Sequence, residues 1–174
     1  MPRTIALIQG SLRKESRTAI VLEEVRRLLK THGVTISMID LRSVDMEFCD
    51  GRDLAAYGKD LRKAHATLAK ASAVVIGMPV YQYSVSGPLK NFLDIVSSAL
   101  ESKPVAICSN AGGLRASMAS AHLMTILAFE CGASAIQPIV HTWVEDFQNG
   151  KISSPGVHER VEELVANLLR ACND

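Results

Sequence analysis

The feature that most narrows the fold is an alternation of two hydrophobic periods along the chain. Nearly continuous apolar runs stand at Thr4–Ile8, Ala73–Gly77 and Val105–Ser109, with looser ones at Val34–Leu41 and Ala133–His141. Short runs of this kind suit strands covered on both faces. Between them, apolar residues recur at helical spacing: Ile20, Val21, Val25, Leu28 and Leu29; Leu61, Ala64, Leu68 and Ala71; Leu89, Phe92, Leu93, Val96 and Leu100. Leu114–Cys131 and Val157–Cys172 read as two more helices, and Gly33, Gly132 and Lys103-Pro104 supply stops. Ser86-Gly87-Pro88 supplies a start, because proline is preset for a first helical turn.

Strands separated by helical crossovers call for a parallel sheet with helices on both faces, since each right-handed crossover needs a helix. The expected class is α/β: a doubly wound, five-stranded parallel sheet in the order 2-1-3-4-5. No repeat or linker divides the chain, so its 174 residues are expected to form a single domain, 1–174. Ser43–Gly58 has no clear period, and Asn149-Gly150 marks a polar hairpin before the last helix.

Charge excludes several roles. Nineteen Lys and Arg against eighteen Asp and Glu leave +1, too little to draw the chain to nucleic acid or an anionic membrane surface. Cys49, Cys108, Cys131 and Cys172 form no CxxC pair and have no histidine at ligand spacing, so no metal site is expected. The apolar stretch between Arg3 and Gly10 is too short for a secretory core or a membrane span, and a cytoplasmic protein with reduced thiols is expected.

In a sheet of this order the ligand crevice lies at the carboxyl ends of the strands where the winding reverses. Three loops are then singled out: Gly10–Thr18, Pro79–Ser86 and Ser109–Gly113. The first sets the hydroxyls of Ser11, Ser16 and Thr18 and the cationic Arg13 and Arg17 at a helix N-terminus, where free N–H groups and the helix dipole favour an anion. Ser16 can equally serve as the helix cap. Neither GxGxxG nor GxxxxGK[ST] occurs, so a monophosphate fits better than a pyrophosphate or a nucleoside triphosphate. Pro79-Val80-Tyr81-Gln82-Tyr83 is expected to leave the third strand as an extended piece suited to lying along a planar heterocycle. Asn110-Ala111-Gly112-Gly113 offers two positions without side chains where a ligand can approach the backbone.

The loop Gly10-Ser11-Leu12-Arg13 with Ser16, and the stretch Pro79-Val80-Tyr81 followed by Ser84 and Ser86-Gly87-Pro88-Leu89-Lys90-Asn91-Phe92-Leu93-Asp94, resemble the NAD(P)H-dependent FMN reductases. The resemblance implies a flavodoxin-like fold over nearly the whole chain. It implies FMN phosphate held by Ser11, Arg13, Ser16 and Thr18, and a flavin ring lined by Pro79, Val80, Tyr81, Gln82, Asn110, Ala111, Gly112 and Gly113. It further implies hydride transfer from NADPH or NADH to FMN and on to a small acceptor such as a quinone, free flavin, azo compound or metal oxyanion. A homodimer or homotetramer packed through Leu89–Leu100 and Leu114–Cys131 is also implied. Val80 and Gln82 stand directly after the proline and the tyrosine of the third-strand loop, where some relatives carry acidic or amide residues, which leaves the acceptor open.

No catalytic residue is assigned, because the flavin carries the redox step; His122 and His141 are read as structural. A flavodoxin-type electron carrier or a flavin-binding redox sensor is the alternative from another class. A phosphoacceptor receiver domain fails, because Met78-Pro79 stands where it needs an aspartate.

Overall fold

The computed structural model describes residues 3–172. The expected domain, 1–174, therefore runs past the described residues at both ends. In chain order the elements are β1 Thr4–Gln9, α1 Arg17–Thr31, β2 Thr35–Asp40, α2 Lys59–Lys70, β3 Ala73–Tyr81, β4 Ser84–Val85, α3 Gly87–Val96, β5 Pro104–Asn110, α4 Ser120–Cys131, β6 Ser134–Thr142, β7 Phe147–Gln148, β8 Lys151–Ile152 and α5 Pro155–Ala171.

The main sheet has six strands, ordered β2-β1-β3-β5-β6, with β4 paired to β3 off that path. The neighbours on the path are parallel, whereas β4 is antiparallel. This corrects the five-stranded, 2-1-3-4-5 expectation. The extra strand is two residues long, below the length at which a hydrophobic period can be read, and its presence shifts the numbering of every later strand.

Alternate side chains of each strand enter different cores. Ile5, Leu7, Val75 and Cys108 pack with Val21, Leu22 and Leu29 of α1 and Val161, Leu164 and Leu168 of α5. Ala6, Ile8, Ile76 and Ile107 pack with Leu61 and Leu68 of α2, Phe92 and Val96 of α3, and Leu123 and Leu127 of α4. Burial of each such side chain stabilises by roughly 1.5–3 kcal/mol, and both faces of the central strands β1, β3 and β5 are covered, whereas β2 and β6 stay partly exposed.

Two further expectations change. Leu114–Cys131 is not one α-helix: Leu114–Ala119 is 3₁₀, and the α-helix starts only at Ser120. The aperiodic segment 43–58 is held by side chains reaching the backbone. Asn91 donates to the Glu47 carbonyl and accepts from the Cys49 amide, and Glu47 accepts from the Gly58 amide. At the other end the helix stop at Gly132 is as read, with φ 56° in the left-handed region.

Candidate functional site

The loop after β1 is locked to the sheet. The Gly10 amide donates to the Gly77 carbonyl at 3.0 Å, and a Cβ on Gly10 would lie 2.7 Å from that same oxygen. Only glycine lets the chain leave β1 this close to β3. Buried Gln9 then clamps the turn, its side-chain carbonyl accepting from the Ser11 amide at 2.6 Å and its Nε2 donating to the Ser11 carbonyl at 2.7 Å. Ser11 Oγ accepts from the Arg13 amide at 3.3 Å. Ser16 has extended backbone, and its Oγ accepts from the Ala19 amide at 3.2 Å, so it caps α1.

Arg42 buttresses the same loop by donating to the Lys14 carbonyl and to Asp40. Burial pushes the Asp40 carboxyl up, but hydrogen bonds from Arg42 outweigh it and hold the group below the usual carboxylate range.

Pro79 and Val80 are buried in β3, with Pro79 opposite Asn110 of β5. Beyond half-exposed Tyr81 the chain does not run on extended as the sequence suggested. Gln82 and Tyr83 sit at φ 50° and 59° and close a two-residue hairpin that pairs Tyr81 with Ser84. Such tight hairpins need left-handed central residues to match the twist of the strands, and neither position carries glycine, so the turn is locally strained.

The loop after β5 is pinned to β6. Asn110 Nδ2 donates to Thr142 Oγ1 at 3.0 Å, and the Ala111 amide donates to the Thr142 carbonyl at 3.0 Å. Beneath it, Ser109 Oγ bonds His141 Nδ1 at 2.9 Å, and buried Ser120 donates to Ser109 at 3.2 Å. Burial lowers the His141 pKa, which favours the neutral ring, and its Nε2 is buried with no partner. A Cβ added to Gly112 or Gly113 would meet nothing within 4 Å, and neither glycine has positive φ. The protein itself does not require glycine at either position.

These loops enclose a cleft of about 740 Å³ lined by Ser11, Arg13, Ser16, Arg17, Thr18, Pro79, Val80, Tyr81, Asn110, Ala111 and Gly112. Gln82 and Gly113 are not on it; they line an adjoining depression that shares Val80, Ala111 and Gly112. Sequence reading did not nominate Lys14, Ile20, Glu23, Val144, Phe147 or Gly150, which also line the cleft. The last two belong to the β7–β8 hairpin and its turn, where Asn149 and Gly150 are both left-handed. The Asn-Gly signal marks that turn, but its folding back over α1, with Arg17 5.9 Å above the Phe147 ring, is a long-range contact that no local pattern announces.

Other reactive groups stand elsewhere. His122 bonds Ser84 at an exposed position. Cys108 is fully buried, and desolvation pushes its thiol up to about 12, which makes it inert. Among the described residues no group of three His, Cys, Asp or Glu is disposed to hold a metal, and no helix is long and apolar enough to cross a membrane.

Residues 3–147 match the protein family described as NADPH-dependent FMN reductase. An NAD(P)H-dependent FAD/FMN reductase of Geobacillus thermodenitrificans is 31% identical over 146 residues, covering 83% of this chain and 78% of that protein. An NADPH azoreductase of a Bacillus species is 28% identical over 168 residues, covering 94% and 92%. In the solved structures, a flavoenzyme NAD(P)H:(acceptor) oxidoreductase from Paracoccus denitrificans superposes with a TM-score of 0.78 at 20% identity, over 97% of this chain and 98% of that one. That likeness is one of fold. A flavodoxin from the Archaea superposes at 0.67 and 13% identity, which places the fold among the flavodoxin-like ones.

Proposed function

The chain belongs to the NADPH-dependent FMN reductase family, and from that premise we propose that it holds FMN in the cleft between β1, β3 and β5 and acts as an NAD(P)H:acceptor oxidoreductase. The observation that carries the reading is the opposition of two unlike loops across one cleft: a hydroxyl- and cation-bearing loop at the start of α1, and a Gly-Gly loop whose open side no protein atom fills. The donor set suits a flavin monophosphate. Ser11, Thr18 and free amides at the α1 N-terminus hydrogen-bond the phosphate, and Arg13 and Arg17 neutralise it. Ser16 keeps its capping bond and turns the helix terminus toward the phosphate. Pro79, Val80 and Tyr81 on one side, and Asn110, Ala111 and Gly112 on the other, flank the planar ring, with Gln82 and Gly113 at its outer rim.

FMN, when bound, supplies the two-electron chemistry. The chain's own part is placement. Pro79, with no N–H of its own, and Asn110, tied to Thr142, fix the width of the cleft, and the open mouth leaves room for reductant and acceptor in turn. Small quinones and azo compounds are the acceptors that this reading favours.

A second copy of the chain completes the reading. Met118 on the 3₁₀ segment and Phe129 on α4 are large apolar residues left 76% and 89% exposed. We assign them to a homodimer or homotetramer contact. The protein, a single domain over 1–174, works in the cytoplasm with its cysteines reduced. Purified protein, supplied with FMN, should give a flavin absorbance band that NADPH or NADH bleaches anaerobically within seconds. Bound FMN that neither nicotinamide reduces would make the protein a carrier or sensor, and absence of FMN binding would remove the central claim.

A further inference from the structure

The cleft shares Val80, Ala111 and Gly112 with the second depression, of about 580 Å³, which adjoins it. Its outer walls are Gln82 and Tyr83 of the strained hairpin, Arg115 just past the Gly-Gly loop, and Trp143 at the end of β6. Arg115 is the one charged residue on this lining, and among the described residues it has neither an ion-pair nor a hydrogen-bond partner. The other arginines near the cleft differ: Arg42 is committed to Asp40, and Arg13 and Arg17 stand at the phosphate loop.

An unpaired guanidinium, two flat rings and no carboxylate form a surface suited to a phosphorylated aromatic nucleotide. Guanidinium binds phosphate in forked fashion, and aromatic rings offer stacking faces to a base. We propose that this depression receives the phosphate-bearing adenosine half of the nicotinamide cofactor, with Arg115 holding a phosphate group and Tyr83 and Trp143 flanking the base. The proposal rests on the assignment of FMN to the adjoining cleft. A nicotinamide ring that reaches the flavin must trail the rest of its dinucleotide through space continuous with that cleft, and the cations at the far end of the cleft already face the FMN phosphate.

The test has two parts. Trp143 is the only tryptophan in the chain, so its fluorescence reports on this depression in FMN-free protein. Titration with 2′,5′-ADP should give a saturable change in wild type and an affinity about tenfold weaker in Arg115→Ala, with Arg115→Lys between them. A missing signal, or equal affinity in wild type and Arg115→Ala, overturns the proposal whether or not FMN binds.

In FMN-loaded enzyme, Arg115→Ala should raise KM about tenfold and leave kcat and FMN affinity unchanged. A rise confined to NADPH assigns Arg115 to the 2′-phosphate, and an equal rise with NADH assigns it to the pyrophosphate. Unchanged KM for both, or weakened FMN binding, overturns the proposal. Failure of wild type to bind FMN would instead sink the reading of the main cleft.

Discussion

Two pairs of glycines, Gly10 just past β1 with Gly77 in the middle of β3, and Gly112 with Gly113 just past β5, are glycine for different reasons. Gly10 and Gly77 are packed so closely that a Cβ on either would come within 2.7 Å of another atom: the Gly77 carbonyl for Gly10, and Leu22 and Thr18 side chains for Gly77. Gly112 and Gly113 face open space, and their backbone angles are ones that other residues adopt. The first pair answers to the fold, and the second to something the fold does not contain. Close approach by a ligand is what a glycine without steric need inside the protein suggests.

The sharpest break of that comparison is Gly10→Ala. The added methyl meets a backbone carbonyl that cannot swing away, so the β1 loop and β3 must part. Overpacking of this kind costs about 1–3 kcal/mol, which for a chain of this length lowers Tm by roughly 2–4 °C per kcal/mol. Thermal unfolding followed by circular dichroism measures it. An unchanged midpoint would mean that the loop is not locked and that the contrast between the pairs is empty.

Gly112→Val probes the other pair. We expect stability within about 0.5 kcal/mol of the parent, as for surface substitutions that touch nothing, together with loss of most FMN from the purified protein. Flavin absorbance per mole of protein is the readout. Parent-level flavin in the variant would reduce the Gly-Gly loop to a turn.

How far the sequence discloses these features depends on the range of the physics involved. The parallel strands and their helices are legible because both faces of the central strands are covered, which makes runs such as Ile5–Ile8 and Val74–Ile76 almost purely apolar. The loops follow from strand order, and most of the nominated residues line one cleft. The two-residue strand at Ser84 and the left-handed Gln82-Tyr83 turn are not legible, because neither residue is of a type that favours that conformation and only pairing to β3 imposes it. Nor is the placement of Phe147 and Gly150 over α1, which depends on residues far apart in sequence.

Arg13→Ala sharpens the contrast from the side of the locked loop. The exposed guanidinium lines the cleft and has no ion-pair partner among the described residues. Its loss should leave the melting curve in place and weaken FMN binding by about 1.5–3 kcal/mol, the usual worth of a hydrogen bond to a charged group. Fluorescence quenching of FMN gives the Kd. If affinity is unchanged, the phosphate is held by hydroxyls and backbone amides without this arginine.

The smallest expected effect concerns the support beneath the Gly-Gly loop. Burial lowers the His141 pKa from its ordinary value of 6.5, with the Gly113 backbone and then Asp146 opposing the shift and Arg160 adding to it. A group depressed in the fold takes up its proton more readily once unfolded, so stability is fully present above the unfolded pKa and declines as pH falls through 6.5 toward the folded value. Glu24 is held down mainly by its hydrogen bond from Arg27, and Asp40, despite desolvation, by Arg42; their contributions are lost only at pH near or below 4.5 and 3.8. The interval from about pH 5 to 6.5 therefore belongs to His141 among these groups. Urea midpoints at pH 7.5 and 5.5 should fall more in the parent than in His141→Asn, which can still bond Ser109 but does not titrate. Equal falls would mean that the ring under the loop is not held neutral, and that the open side of the cleft is supported by Asn110 and Thr142 alone.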